Sequence, residues 1–142
     1  MSFLKYENNI LKFEDVAISE IAKGRTTPFY CYSQNTLIDN FNKFANSVAS
    51  FDSTVCFSLK SNSNLTLLKT LEKLGAGADV VSEWEMRKAL KAGISAKNIV
   101  FSGIGKTDKD IQFAINNDCF QINVESIDEL NRINEIAASI GK

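Results

Sequence analysis

Four short apolar runs, at 55–59, 78–81, 99–101 and 120–124, set the terms for any fold of this chain. They recur at intervals of roughly 21 to 23 residues, and a stretch with helical spacing follows each one. A connection of that length lets successive strands run parallel, so the pattern predicts βα units and a parallel sheet. Capping and stop signals mark the helices. Ser33 is placed to cap a helix along which Leu37, Ile38, Phe41, Phe44, Ala45 and Val48 recur. Leu65, Leu67, Leu68, Leu71 and Leu74 mark another, stopped by Gly75 and Gly77. Ser82-Glu83-Trp84-Glu85 has the spacing of a capping box for a helix reaching Gly93. A helix capped near Thr107 runs towards Asn116, and a second box, Ser126-Ile127-Asp128-Glu129, opens a last helix ending near Ser139. No sequence repeat underlies this architectural one. The periodicity fits half of an eight-fold (β/α) barrel, which needs roughly 250 residues when whole. It fits a small doubly wound sheet equally well.

Upstream of Ser33 the signals are different. Residues 10–16 read as one short strand, and 18–22 as a turn of helix. Gly24 and the only proline, Pro28, then punctuate the chain, and Phe29-Tyr30-Cys31-Tyr32 is strand-like in composition.

Composition narrows the function. A net charge of -1 gives no electrostatic reason to expect nucleic acid or an anionic membrane as partner. No apolar run approaches the 18 or so residues of a membrane span. Hydrophobic content of 44% in 142 residues is enough for one domain with a sizeable core. Cys31, Cys56 and Cys119 are odd in number, widely spaced and flanked by apolar or aromatic residues, which predicts reduced, buried thiols. Histidine is absent, so imidazole acid–base chemistry and the commonest metal ligand are excluded from this chain, and no metal site is expected.

The chemistry-bearing stretch is Thr54-Val55-Cys56-Phe57-Ser58-Leu59-Lys60-Ser61-Asn62. As a strand it turns Val55, Phe57 and Leu59 to one face, and Cys56, Ser58 and Lys60 to the other. The second face is small and polar, with an amine at the C-terminal end, where parallel sheets place their chemistry. Asp79 interrupts an apolar strand next in order, and its carboxylate needs a cation or donors; Lys60 is the candidate partner. Glu85 is explained by its capping box and the helix dipole. Gly103-Ile104-Gly105-Lys106 lacks the spacing of a phosphate loop and reads as a βα turn. Gln121 and Asn123 alternate with apolar neighbours and are expected to serve packing and local hydrogen bonds, while Trp84 and the phenylalanines are expected in the core.

Phe57-Ser58-Leu59-Lys60-Ser61-Asn62 resembles the Y-A-V-K-A-N strand of the fold-type III pyridoxal-phosphate decarboxylases. Gly75-Ala76-Gly77-Ala78-Asp79-Val80-Val81-Ser82, Ile99-Val100-Phe101-Ser102-Gly103-Ile104-Gly105-Lys106 and Ile122-Asn123-Val124-Glu125-Ser126 look like successive landmarks of the diaminopimelate decarboxylase family, in that family's order. Thr26-Thr27-Pro28 stands where the family usually has Gly-Thr-Pro. The resemblance implies an α/β fold, a partial (β/α)8 TIM-like barrel of about four βα units. Residues 1–32 would be a strand segment that joins a β domain, and 33–142 the N-terminal half of the barrel. It also implies pyridoxal 5'-phosphate carried covalently by Lys60, the catalytic residue, with Asp79 close to both and Glu85 near the cofactor. The complete enzyme would be a cytoplasmic homodimer that converts meso-diaminopimelate to L-lysine. The family's ring-stacking histidine, glycine-rich phosphate loop, Glu-Pro-Gly-Arg segment and Cys-x-x-x-Asp-like segment have no counterpart in these residues, so the chain alone is expected to be inactive. A reading of a different class is a non-catalytic barrel remnant, acting as an interaction module or complementing a separate C-terminal half.

Overall fold

A computed structural model describes residues 3–142 and shows two compact units, one reaching to Phe44 and one spanning Ala45–Lys142. In the first unit, β1 (Leu4–Glu7), β2 (Ile10–Phe13) and β3 (Val16–Ala17) form an antiparallel sheet in that order. Asn8 and Asn9, at φ 50° and 61°, make the two-residue turn between β1 and β2, a conformation that asparagine tolerates better than most residues. Glu14, at φ 55°, opens a second tight turn, so 10–16 is two strands of a hairpin instead of one. The short helix α1 (Ile18–Ala22) follows as expected. Residues 29–32 form no strand; Tyr30 and Tyr32 stack with ring centroids 6.5 Å apart.

Ser33 caps α2 (Gln34–Ser47), its Oγ accepting from the Thr36 amide at 2.8 Å. The same hydroxyl donates to the Glu14 carboxylate, which also accepts from Asn35 Nδ2 at 2.9 Å. The hairpin turn is thereby tied to the start of the helix.

The second unit holds a parallel sheet of β4 (Cys56–Ser58), β5 (Gly77–Val80), β6 (Ile99–Phe101) and β7 (Gln121–Ile122), in chain order, with β4 and β7 at its edges. The helices are α3 (Leu65–Lys73), α4 (Glu83–Ala92), α5 (Asp108–Asn116) and α6 (Ile127–Ser139). Each starts at a side-chain cap: Asn64, Ser82, Thr107 and Ser126. Consecutive helices pack on one another, and α4 packs on β5 and β6. Leu59, Leu68, Val80, Met86, Ile99 and Phe101 are at most 1% exposed and form the core between helices and sheet. Bulky groups on one strand face meet helix stripes of Leu and Ala, and burial of each large side chain contributes about 1.5–3 kcal/mol.

Several sequence expectations about side chains fail. Of the phenylalanines expected in the core, Phe29, Phe44, Phe51 and Phe120 are exposed, lying in loops or on outer helix and sheet-edge positions. Trp84 is 74% exposed, with the Arg87 guanidinium 5.8 Å from its ring and 4.2 Å from that of Phe113. Its place in the first turn of α4, beside the cap, faces it away from the sheet. Cys31 is exposed because residues 29–32 pair with no strand, while Cys56 and Cys119 are half-buried; all three thiols are free.

Candidate functional site

The strands that bury Ala78, Val80, Ile99 and Phe101, and pack Phe57 against them, turn their alternate residues to the opposite face. That face carries Cys56, Ser58, Asp79, Val100, Ser102, Gln121 and Asn123, all half-buried or exposed. The register sets Ser58 beside Asp79, Asp79 beside Val100 and Val100 beside Gln121. Backbone pairing continues one step past each strand end: the amides of Leu59, Ser102 and Asn123 donate to Asp79, Val80 and Phe101 at 3.0, 2.8 and 2.8 Å. Polar side chains therefore converge at the C-terminal ends of four parallel strands, the position such sheets use for ligands.

Asp79 lies at the centre of this group. Ser58 Oγ donates to its Oδ2 at 3.0 Å, and Ser102 Oγ donates to its Oδ1 at 2.6 Å. Ser102 accepts from Asn123 Nδ2 at 3.0 Å, and Asn123 Oδ1 accepts from Gln121 Nε2 at 2.6 Å. Two hydroxyl donors supply what a half-buried carboxylate requires. The expected Lys60–Asp79 ion pair is not among the pairs that the described residues form. Burial pushes the Cys56 thiol up, and the neighbouring Asp79 charge adds to the effect.

Lys60 sits in a turn just past β4, not in the strand itself. The Ser61 amide and hydroxyl both donate to the Ser58 carbonyl, at 3.2 and 2.7 Å, closing the turn over residues 58–61. Lys60 is exposed, and its amine has no hydrogen bond or ion pair among the described residues. That leaves a primary amine available for condensation with a carbonyl compound.

Glu85 is in the first turn of α4, where its amide donates to Ser82 Oγ at 3.3 Å. Its own Oε2 accepts from the Val81 amide at 2.9 Å, one residue before the cap, so the expected box is formed on one side only. The complete capping box is Thr107–Asp110. Asp110 Oδ1 also accepts from the Glu83 amide at 2.7 Å, so one carboxylate satisfies the starts of α4 and α5. Burial raises the Asp110 carboxyl, but the Thr107 hydroxyl and the Glu83 and Thr107 amides outweigh it and hold the group below its usual range.

Sequence reasoning missed Ser102 and Lys106. Ser102 has the parity of Val100, so extending the strand alternation by one residue finds it. Lys106 is 1% exposed in its side chain and bonds the carbonyls of Gly103 and Asn123 and the Glu129 carboxylate. A lysine in a glycine loop reads as solvated, and no sequence signal announces its burial. Among the described residues no group of three His, Cys, Asp or Glu side chains is placed to hold a metal ion. Nor, among the described residues, is any helix long and apolar enough to cross a membrane.

Residues 34–141 match the family model described as "Pyridoxal-dependent decarboxylase, pyridoxal binding domain". The chain belongs to this family. Among its members, the diaminopimelate decarboxylase of Aquifex aeolicus is 40% identical over 140 residues, 99% of this chain and 33% of that protein. The enzyme of Pseudomonas fluorescens is 42% identical over 142 residues, 99% of this chain and 34% of that protein. The crystal structure of diaminopimelate decarboxylase from Helicobacter pylori complexed with L-lysine superposes with a TM-score of 0.84 at 40% identity, over 87% of this chain and 32% of that one. The chain thus spans about a third of the length of the decarboxylases it matches. The match to a pyridoxal-binding domain covers the parallel sheet and the Lys60 turn, and it starts at the first residue of α2.

Proposed function

We propose that this chain is the N-terminal part of a diaminopimelate decarboxylase and holds pyridoxal 5'-phosphate through Lys60. The observation that carries the reading is an exposed, unpartnered lysine amine among the described residues, at the C-terminal ends of parallel strands, in a pyridoxal-dependent decarboxylase chain. The residues suit the group. The amine is free to bond the aldehyde carbon, and the adjoining face offers the Asp79 carboxylate and two serine hydroxyls. When bound, pyridoxal phosphate supplies an electron sink as a carboxylate leaves the substrate's α-carbon. In this reading the chain's own contribution is positional. The 58–61 turn presents Lys60, Asp79 orients what stands beside it, and Glu85 secures the end of β5 through Val81 near the cofactor.

Four parallel strands in unbroken chain order, with their bulky residues and helices on one face, support half of a (β/α)8 barrel over 33–142. Residues 1–32 would then join a β domain. The whole enzyme would convert meso-diaminopimelate to L-lysine in the cytoplasm as a homodimer. Two unpaired sheet edges, β4 and β7, suit association with a complementary half or a second copy.

Adding pyridoxal 5'-phosphate, reducing with borohydride and mapping peptides should place the label on Lys60. Label spread evenly over Lys69, Lys73 and Lys88 would sink the assignment. Carbon dioxide release from meso-diaminopimelate should not exceed that of free cofactor; turnover that Lys60→Ala abolishes would show that the chain suffices as an enzyme.

A further inference from the structure

Lys106 has no part in the reading above, yet it is among the most buried charges described. An ammonium removed from water is tolerated only when its donors are satisfied. Here three oxygens receive it: Gly103 O at 2.6 Å, Asn123 O at 2.7 Å and Glu129 Oε1 at 2.7 Å. They come from the β6–α5 loop, the end of β7 and the first turn of α6. Glu129 has the spacing to reach back to its own helix cap, and its side chain goes to Lys106 instead.

We propose that Lys106 is a positioning residue. It anchors a hydrogen-bonded line that crosses β7, β6, β5 and β4 and ends on the turn carrying Lys60. The proposal rests on Lys60 being the cofactor lysine. The line has a fixed direction. Asn123 Oδ1 accepts from Gln121, so the Asn123 amide nitrogen faces Ser102 and donates to it. The Ser102 hydroxyl, having accepted, donates to Asp79. Ser58 donates to Asp79 from the other side. The Ser58 carbonyl takes both donors of Ser61, and the Leu59 amide is bonded to the Asp79 carbonyl. Lys60 lies between these two fastened residues. By holding the Asn123 carbonyl, Lys106 holds the residue from which the line starts. Polar chains of this kind gain rigidity as a unit, and one missing member loosens the rest.

The test is the rate at which pyridoxal 5'-phosphate, trapped by borohydride, labels Lys60 relative to exposed Lys69 on the same chain, with a melting curve beside it. Wild type should label Lys60 first. Ser102→Ala and Lys106→Met should each lower the Lys60 to Lys69 ratio by about ten- to a hundredfold, the scale of a small misplacement. Ser102→Thr keeps the hydroxyl and should restore the ratio. Arg132→Ala, which breaks only the exposed pairs with Asp108 and Glu135, should leave it unchanged. A folded Ser102→Ala or Lys106→Met variant with the wild-type ratio overturns the proposal and leaves Lys106 a structural clamp. Should Lys106→Met melt below the assay temperature, Glu129→Gln tests the anchor, and an unchanged ratio there overturns it as well. If wild type labels Lys60 no faster than Lys69, the cofactor assignment fails first and this proposal falls with it.

Discussion

The two faces of the parallel sheet are built from alternate residues of the same strands, yet they obey different rules. On the helix side, Ala78, Val80, Ile99 and Phe101 are 0–1% exposed and belong to one apolar core cluster. On the other side, Ser58, Asp79, Ser102 and Asn123 are joined by hydrogen bonds and remain partly in water. The first face holds the fold together through area removed from water. The second contributes little net stability, since each bond replaces one to solvent, but it fixes where particular atoms stand. Stability and positioning are separated by one residue of strand.

The strongest way to break this comparison is a matched pair of deletions. Phe101→Ala should cost about 3–5 kcal/mol in urea unfolding. Ser58→Ala, on the opposite face, should cost about 0.5–1.5 kcal/mol in the same assay. Equal costs would mean that the polar face is as structural as the core.

Gly77 sharpens the comparison because it has the parity of the polar face but sits at its closed, N-terminal end. A Cβ there would lie 2.5 Å from the Asn98 carbonyl and 2.7 Å from Cys56 Sγ. Gly77→Ala should therefore destabilise by about 1–3 kcal/mol, as overpacking does. A neutral melt would show that the turn before β6 yields.

Asp110 joins the starts of α4 and α5, accepting from the Glu83 and Thr107 amides. Removing its caps with Asp110→Ala should cost about 1–2 kcal/mol near neutral pH. The folded carboxyl titrates below its usual range, so the contribution is complete above the unfolded value and is lost as pH falls through the folded one. The gap between wild type and variant should thus close in acid; a pH-independent gap would assign the cost to packing.

The smallest effect is chemical. Cys56 on the polar face and Cys119 beside the core both have thiols raised by burial, whereas Cys31 is exposed. Iodoacetamide should label Cys31 first near neutral pH, with the difference narrowing as pH rises. Asp79→Asn should speed Cys56 alone. Equal rates at all three sites would mean that the sheet opens readily.

Much of this was legible beforehand. The strand 99–101 and the caps at Ser33, Ser82, Thr107 and Ser126 stand where their spacing places them. The run 120–124 is strand only at Gln121–Ile122, because a sheet edge pairs on one side and the ladder ends early. The break within residues 10–16 carries no glycine or proline to mark it, and only the positive φ of Glu14 reveals the turn. The Asn8-Asn9 pair was a readable turn signal that marks β1.

By itself the sequence determined which residues share a face. Period-two alternation and helical spacing are properties of the local backbone, and they need no knowledge of the rest of the chain. Only the tertiary structure decided which polar group meets which. Asp79 is served by Ser58 and Ser102 instead of Lys60, Glu85 by Val81, and Glu129 by a buried lysine two elements upstream. A hydrogen bond depends on a few tenths of an ångström between atoms far apart in sequence, and strand register and helix placement set that distance.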